Sequence, residues 1–212
     1  MQCRVEVTDL SREESARGLY DQLRRDGIQI EYLVNNAGVG NYGLFWESDL
    51  EKDLGLIRLN ISALTALTKL FVKDMIVRKS GRVMNVASTA AYMAGPYMAT
   101  YYASKAYVLS FSEAVAEELS GTGVTVTVVC PGPTHTGFHA AADIGGSRLF
   151  AGPLVMEASA VARIAYEGFM QGKRVVVTGW SNRIMVAASR LSPRRWATRV
   201  VRYLQEKIKK PA

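Results

Sequence analysis

Ile30-Glu31-Tyr32-Leu33-Val34-Asn35-Asn36-Ala37-Gly38 decides the fold: a short apolar run that stops on asparagines and a glycine. A run of this length bounded by turn formers reads as a strand. The pattern returns at residues 82–87, ended by Ser88, at 124–130, ended by Pro131-Gly132, and at 174–178. Residues 3–8 read as a further strand ended by Asp9. Helical stretches lie between these runs. Residues 11–25 form a polar helix capped by Asp9 or Ser11, with Gly27 as its stop. A second helix starts at Ser48 with Glu51 completing a capping box, and Ile57, Ile61, Leu64, Leu67, Phe71 and Met75 give it one apolar face before Gly81 closes it. Residues 101–119 and 157–171 are the remaining helices of this part. Strands alternating with helices of this length predict an α/β, doubly wound parallel sheet with helices on both faces.

In such a sheet ligands bind beyond the carboxyl ends of the strands. Those ends carry Asp9, the Asn35-Asn36-Ala37-Gly38 turn, Ser88 and Pro131-Gly132. The composition fits one domain: 212 residues, of which 49% are hydrophobic and 21% charged. Cys3 and Cys130 are too few to staple a fold and lack zinc-type spacing, so a reducing cytoplasm is the simplest setting. The net charge of +7 divides unevenly, because residues 1–180 hold 17 basic against 18 acidic side chains and residues 181–212 hold nine against one. A neutral body argues against nucleic acid as partner. No run of about 18 apolar residues predicts a membrane span, and the N-terminus has the character of neither a secretory signal nor a transit peptide.

Tyr101 and Lys105 stand four apart on a helix, hence on one face. An ammonium beside a phenol favours the phenolate and lowers the tyrosine pKa toward neutrality. Ser88, just past a strand, brings a hydroxyl able to hydrogen-bond a substrate oxygen. Singly, each of these residues has an ordinary structural explanation: Asn35 and Asn36 end a strand, Asp9 caps a helix, Asn60 bends one, and Ser88 and Thr136 are loop hydroxyls. Together and in this order they form a pattern.

The set Asp9, Asn35-Asn36-Ala37-Gly38, Asn60, Ser88, Tyr101-Tyr102-Ala103-Ser104-Lys105 and Pro131-Gly132 resembles the short-chain dehydrogenase/reductase family over residues 1 to about 180. The resemblance implies an NAD(P)-dependent oxidoreductase interconverting a carbonyl and a secondary alcohol, with NADP favoured over NAD. It implies Tyr101 as general acid/base, Lys105 as the group that lowers its pKa and bonds the nicotinamide ribose, and Ser88 as the group that orients the substrate oxygen. Asn60 would hold the helix backbone and a relay water. Asp9 and Leu10 would meet the adenine, Asn36, Ala37 and Gly38 would flank its ribose, and Pro131, Gly132, Thr134 and Thr136 would meet the nicotinamide. Tyr102 has Ala106 four residues on and is left without a role. The family also implies a homodimer or homotetramer joined through the helices from 57–75 and 101–119. The small, apolar loop of residues 138–156 favours a hydrophobic ketone, aldehyde or acyl-derived carbonyl over a polyol.

Other signals are set aside. Gly38-Val39-Gly40-Asn41-Tyr42-Gly43 fits GxGxxG, but no helix opens on its last glycine. Residues 175–179 mimic a dinucleotide-binding strand without the following glycines. His135 and His139 lack a third ligand, so no metal is expected. Cys130 reads as a packed thiol.

The family's TGxxxGxG segment has no counterpart here, so the chain is expected to begin at the third strand, leaving residues 3–8 without a neighbour and the strand ending at Asn35 with an open edge. A catalytically silent chain acting through subunit or partner association is the alternative to an enzyme. The domain is expected to span residues 1–180 and a basic amphipathic tail residues 181–212. In that tail Trp196, Val200, Leu204 and Ile208 repeat every four residues among arginines and lysines over 194–210. Packing on the body or a partner subunit is its first reading, peripheral contact with an anionic membrane its second, and nucleic acid its third.

Overall fold

The computed structural model of the chain describes residues 3–138, 142, 144, 147–150 and 155–207. The strands are β1 (Tyr32–Asn35), β2 (Gly81–Val86), β3 (Val124–Cys130), β4 (Thr134–His135), β5 (Met156–Glu157) and β6 (Val175–Val177). The helices are α1 (Ser15–Arg25), α2 (Leu50–Ile57), α3 (Leu64–Arg78), α4 (Ala99–Glu118), α5 (Ala158–Met170), α6 (Trp180–Leu191) and α7 (Arg194–Gln205). β1, β2, β3 and β6 form one parallel sheet in that order, and β4 pairs with β5 in a separate parallel ribbon. The α/β reading with a parallel sheet and flanking helices holds.

Alternation along the strands divides the side chains between two faces. Val83, Val126 and Val128 point to the side of α3 and α4, while Met84, Val129 and Val176 point to α5 with its Ala165 and Phe169. Leu67, Phe71 and Met75 of α3 are buried, each stabilising the fold by about 1.5–3 kcal/mol relative to exposure. By length and composition Leu50–Arg78 would suit a membrane span, yet this buried row makes it a core helix. α1 packs on it through the Tyr20 hydroxyl, which donates to Asp74 at 3.0 Å, and an edge-to-face contact of Tyr20 with Phe71.

Several boundaries differ from the sequence reading. Residues 3–8 are not a strand, and Val5 and Val7 lie 80% and 97% exposed, because no neighbouring strand supplies a ladder. Asp49, not Ser48, caps α2: its carboxylate accepts from the Lys52 N–H at 3.1 Å, while the Ser48 hydroxyl donates to Asp53. Lys79 ends α3 in the left-handed region at φ 55°, ahead of Gly81. A π-helical turn, Arg58–Ala63, joins α2 to α3. The segment after residue 180 holds two helices rather than one, and both pack on the body.

The sheet register creates a buried polar chain. Asn35 of β1 lies opposite Asn85 of β2, and its Nδ2 donates to Asn85 Oδ1 at 2.8 Å and to Thr68 Oγ1 at 3.0 Å. Asn85 Nδ2 in turn donates to Ser112 Oγ at 2.9 Å, tying β1 through β2 to α3 and α4. Asn85→Leu strands an Asn35 N–H in this core and is expected to lower stability by about 1–3 kcal/mol, read as a reduced urea midpoint at unchanged slope.

Candidate active site

The carboxyl ends of β1, β2 and β3 open into a cavity of about 840 Å³. Ser88, Tyr101 and Lys105 all line it. Ser88 follows β2 and caps the short turn Thr89–Tyr92: its Oγ accepts from the Ala90 N–H at 3.1 Å and donates to the Pro131 carbonyl at 3.3 Å. That second bond ties the serine to the loop after β3. Tyr101 and Lys105 sit on α4, with the Lys105 Nζ 5.8 Å from the Tyr101 ring centre. The lysine is buried and its Nζ donates to the Val86 carbonyl at 2.9 Å.

Asn60 does not line this cavity but braces it from behind. It is buried within the π-helical turn, where its Oδ1 accepts from the Val39 N–H at 3.0 Å and its Nδ2 donates to the Val39 carbonyl at 2.9 Å. The same Nδ2 reaches Ser104 Oγ at 3.1 Å, and Ser104 donates to the Tyr101 carbonyl at 2.7 Å. Asn60 thus bonds the Val39 loop and α4, where a bond to its own helix backbone was expected. Gly38 lies close beside it: a Cβ there would stand 3.2 Å from Asn60 Oδ1, a tight contact, and 3.5 Å from Lys105 Nζ, an ordinary one.

Asn36, Gly38, Pro131, Gly132, Thr134 and Thr136 also line the cavity. Thr134 Oγ1 donates to the Gly132 carbonyl at 2.9 Å, and Thr136 Oγ1 accepts from the Phe138 N–H at 3.2 Å. Leu10 and Ala37 line a second, apolar hollow of about 250 Å³ beside β1. Asp9 lines neither: it is exposed and its carboxylate accepts from the backbone and hydroxyl of Ser11, which hold its pKa below the usual range. His139 lies outside the described residues. Among the described residues no three His, Cys, Asp or Glu side chains gather at one point.

Three supporting residues escaped the sequence reading. Asn182, buried in the first turn of α6, donates to the Thr178 carbonyl at 2.7 Å and fills the space where a Cβ on residue 132 would sit, 2.3 Å from its Oδ1. An asparagine so soon after Gly179 was the one available signal. Tyr102, left without a role, receives a 2.7 Å hydrogen bond from Gln205 Nε2 of α7. Phe138 leans on the Tyr101 ring, centres 5.3 Å apart. Val201, Leu204 and Gln205 therefore complete the cavity wall from the far end of the chain.

The electrostatics of the site run against the expected tyrosine shift. Burial pushes the Tyr101 phenol up to about 12, partly opposed by the nearby Ser88 hydroxyl. Burial likewise brings the Lys105 ammonium down to about 8. Desolvation penalises the charged form of each group and is the largest cause of both shifts. Cys130 is a packed thiol, raised to about 11 by burial.

A profile of the short chain dehydrogenase family matches residues 2–144. The chain belongs to this family. The 3-oxoacyl-[acyl-carrier-protein] reductase of Synechocystis is 42% identical over 104 residues, covering 49% of this chain and 42% of that protein. The reductase FabG of Haemophilus influenzae, of the same description, is 32% identical over 126 residues, covering 59% of this chain and 52% of that protein. The chain thus spans about half the length of the curated relatives it matches. A solved short-chain dehydrogenase from Sphingobium yanoikuyae, in complex with NADPH, superposes with a TM-score of 0.75 at 29% identity, covering 86% of this chain and 71% of that one. The structural likeness is one of fold: a parallel sheet with flanking helices.

For this short-chain dehydrogenase, Lys105 carries a stability cost. Its folded pKa of about 8 lies below its ordinary 10.5, so between these values the unfolded chain binds the proton more readily. Stability therefore falls as pH drops from 10.5 to 8, and the loss persists below 8. Lys105→Met removes that loss and is expected to raise stability at pH 7 by something on the order of 2–3 kcal/mol. Thermal melts from neutral pH to 9 check this: the gap between variant and parent should narrow as pH rises.

Proposed function

We propose that the chain is an NAD(P)-dependent oxidoreductase interconverting a carbonyl and a secondary alcohol, with Ser88, Tyr101, Lys105 and Asn60 as its working set. The convergence of Ser88, Tyr101 and Lys105 on one cavity supports this reading.

The nicotinamide half of a dinucleotide finds partners here. Lys105 Nζ has one acceptor among the described residues, the Val86 carbonyl, and its remaining N–H groups suit ribose hydroxyls. The turn from Pro131 to Thr136 and the Asn36–Gly38 turn bound the same space. When bound, the nicotinamide supplies or takes up the hydride. Tyr101 gives its proton to the carbonyl oxygen during reduction, and the phenol's raised pKa keeps that proton in place at neutral pH. Ser88 donates a hydrogen bond to the same oxygen. Asn60 keeps the Val39 loop and α4 in register, and so acts through its neighbours. The adenine half has less support: Asp9 lies outside the cavity. NADP is preferred over NAD on the NADPH bound by the Sphingobium relative.

The walls favour an apolar substrate, with Met93, Met98, Phe138, Leu149 and Val161 among them. A hydrophobic ketone, aldehyde or acyl-derived carbonyl suits this lining, and the curated relatives named above act as 3-oxoacyl reductases. Homodimer or homotetramer assembly is proposed through α2 to α4, where Leu54, Ile57 and Tyr107 lie partly exposed. The open edge of β1, with Tyr32 and Val34 about half exposed, favours a second reading in which this edge pairs with another chain.

Titration with NADPH, followed by cofactor fluorescence, is expected to show saturable binding. In a protein that binds, Tyr101→Phe should retain cofactor affinity within about threefold while losing roughly 10²- to 10⁴-fold in ketone reduction. Absence of cofactor binding by the 212-residue chain would favour the association reading.

A further inference from the structure

α6 and α7 each carry an apolar stripe turned away from the body. Trp180, Ile184 and Leu191 lie on one side of α6 by helical spacing, and all are exposed, Leu191 to 89%. Trp196, Val200 and Tyr203 do the same on α7, exposed to 68%, 56% and 59%. An arginine immediately precedes five of these six residues: Arg183-Ile184, Arg190-Leu191, Arg195-Trp196, Arg199-Val200 and Arg202-Tyr203. One residue is about 100° of helix, so each apolar row has a row of guanidinium groups along the same flank. Among residues 181–207 the only acidic side chain is Glu206. Arg202 is spent on Glu206 and the Tyr97 ring, and Arg190 on the Tyr92 ring. Arg194, Arg195 and Arg199 have no ion pair among the described residues. The opposite side of α7 is committed, with Val201 and Gln205 buried and Gln205 bonded to Tyr102 and, through its carbonyl, to the Tyr42 hydroxyl.

We propose that the exposed stripes of α6 and α7 seat the protein on an anionic phospholipid surface. Tryptophan and tyrosine suit the headgroup boundary, aliphatic side chains suit the acyl side of it, and arginines suit lipid phosphates. A second copy of the chain fits poorly, because the facing patches would bring two arginine rows together with one acid each to offset them. Nucleic acid fits poorly too, since it leaves Ile184 and Leu191 without an apolar partner. The inference does not depend on catalysis. Its consequence is positional: α7 meets the lipid with Trp196 and Val200 and walls the main cavity with Val201 and Leu204, so a lipophilic ligand at the bilayer surface lies one helix away from that cavity.

Co-sedimentation of the chain with vesicles tests this. The chain should partition roughly a hundredfold more strongly onto phosphatidylcholine vesicles containing phosphatidylglycerol than onto phosphatidylcholine alone, from about three free arginines near the surface. High salt should remove most of that difference. Arg195→Glu with Arg199→Glu should abolish it, and Trp196→Ser with Val200→Ser should weaken binding to the anionic vesicles at either salt. All four positions are exposed, and circular dichroism melts matching the parent confirm that both variants fold. Equal partitioning onto the two vesicle types, or anionic binding untouched by the charge reversals, overturns the proposal. So does a light-scattering mass that doubles with concentration and returns to the monomer in the Trp196→Ser, Val200→Ser variant, which assigns the face to a second copy. Tighter binding to duplex DNA than to anionic vesicles at the same salt overturns it as well. None of these measurements needs cofactor, so they read independently of the oxidoreductase proposal.

Discussion

The Asn60 carboxamide is the joint on which the site depends. Asn60 sits buried in the π-helical turn that joins α2 to α3, a local departure from α-helix of the kind that re-aims a side chain. Its oxygen and nitrogen together satisfy both backbone groups of Val39, and the nitrogen also reaches Ser104. Three elements are thereby fixed to one another by directional bonds: the helix pair α2/α3, the turn after β1, and the helix carrying Tyr101 and Lys105. Buried and fully partnered, such a group adds rigidity at the point where side-chain geometry matters most. The Asn35-Asn85-Ser112 chain does the same for the sheet one layer further in.

The sequence made the site more legible than its supports. Ser88, Tyr101 and Lys105 were readable because strand ends and the i, i+4 face of a helix fix where such residues point, whatever packs around them. Gly132 was readable as part of a turn, but the reason it must be glycine is Asn182, fifty residues on. Thr68, Asn85 and Ser112 acquire meaning only through strand register, which no local pattern reveals. Residues 3–8 have strand composition but no partner, and β propensity is a preference for a paired, packed surface. At α2 the cap went to Asp49 over Ser48, a one-residue competition between neighbouring cap formers. α6 was unread because Gly179 offers no side-chain cap.

The burial that defines the site also strains it. Lys105 has given up most of its hydration for one carbonyl contact, and Tyr101 holds its proton more firmly than a free tyrosine would. A phenol that gives up a proton near neutral pH needs more positive charge or more hydrogen bonds than these protein side chains supply. Spacing places an ammonium near the phenol but is blind to burial, which is why spacing alone pointed to a shift opposite to the one burial produces.

The cavity owes its size to incomplete cover of one sheet face. α5 covers Val129 and Val176 but leaves Val34 and Val86 to line the opening, and α7 closes the far side through Val201 and Leu204. Apolar sheet surface left in this state costs free energy in proportion to its area. A ligand that covers it stabilises the native state by mass action as well as being bound, so occupancy and folding are linked. The same holds for the position of α7, whose hold on the body runs through Gln205 to Tyr102, the neighbour of Tyr101. Whatever moves that helix, on its outer or its inner face, acts on a wall of the cavity that Tyr101 also lines.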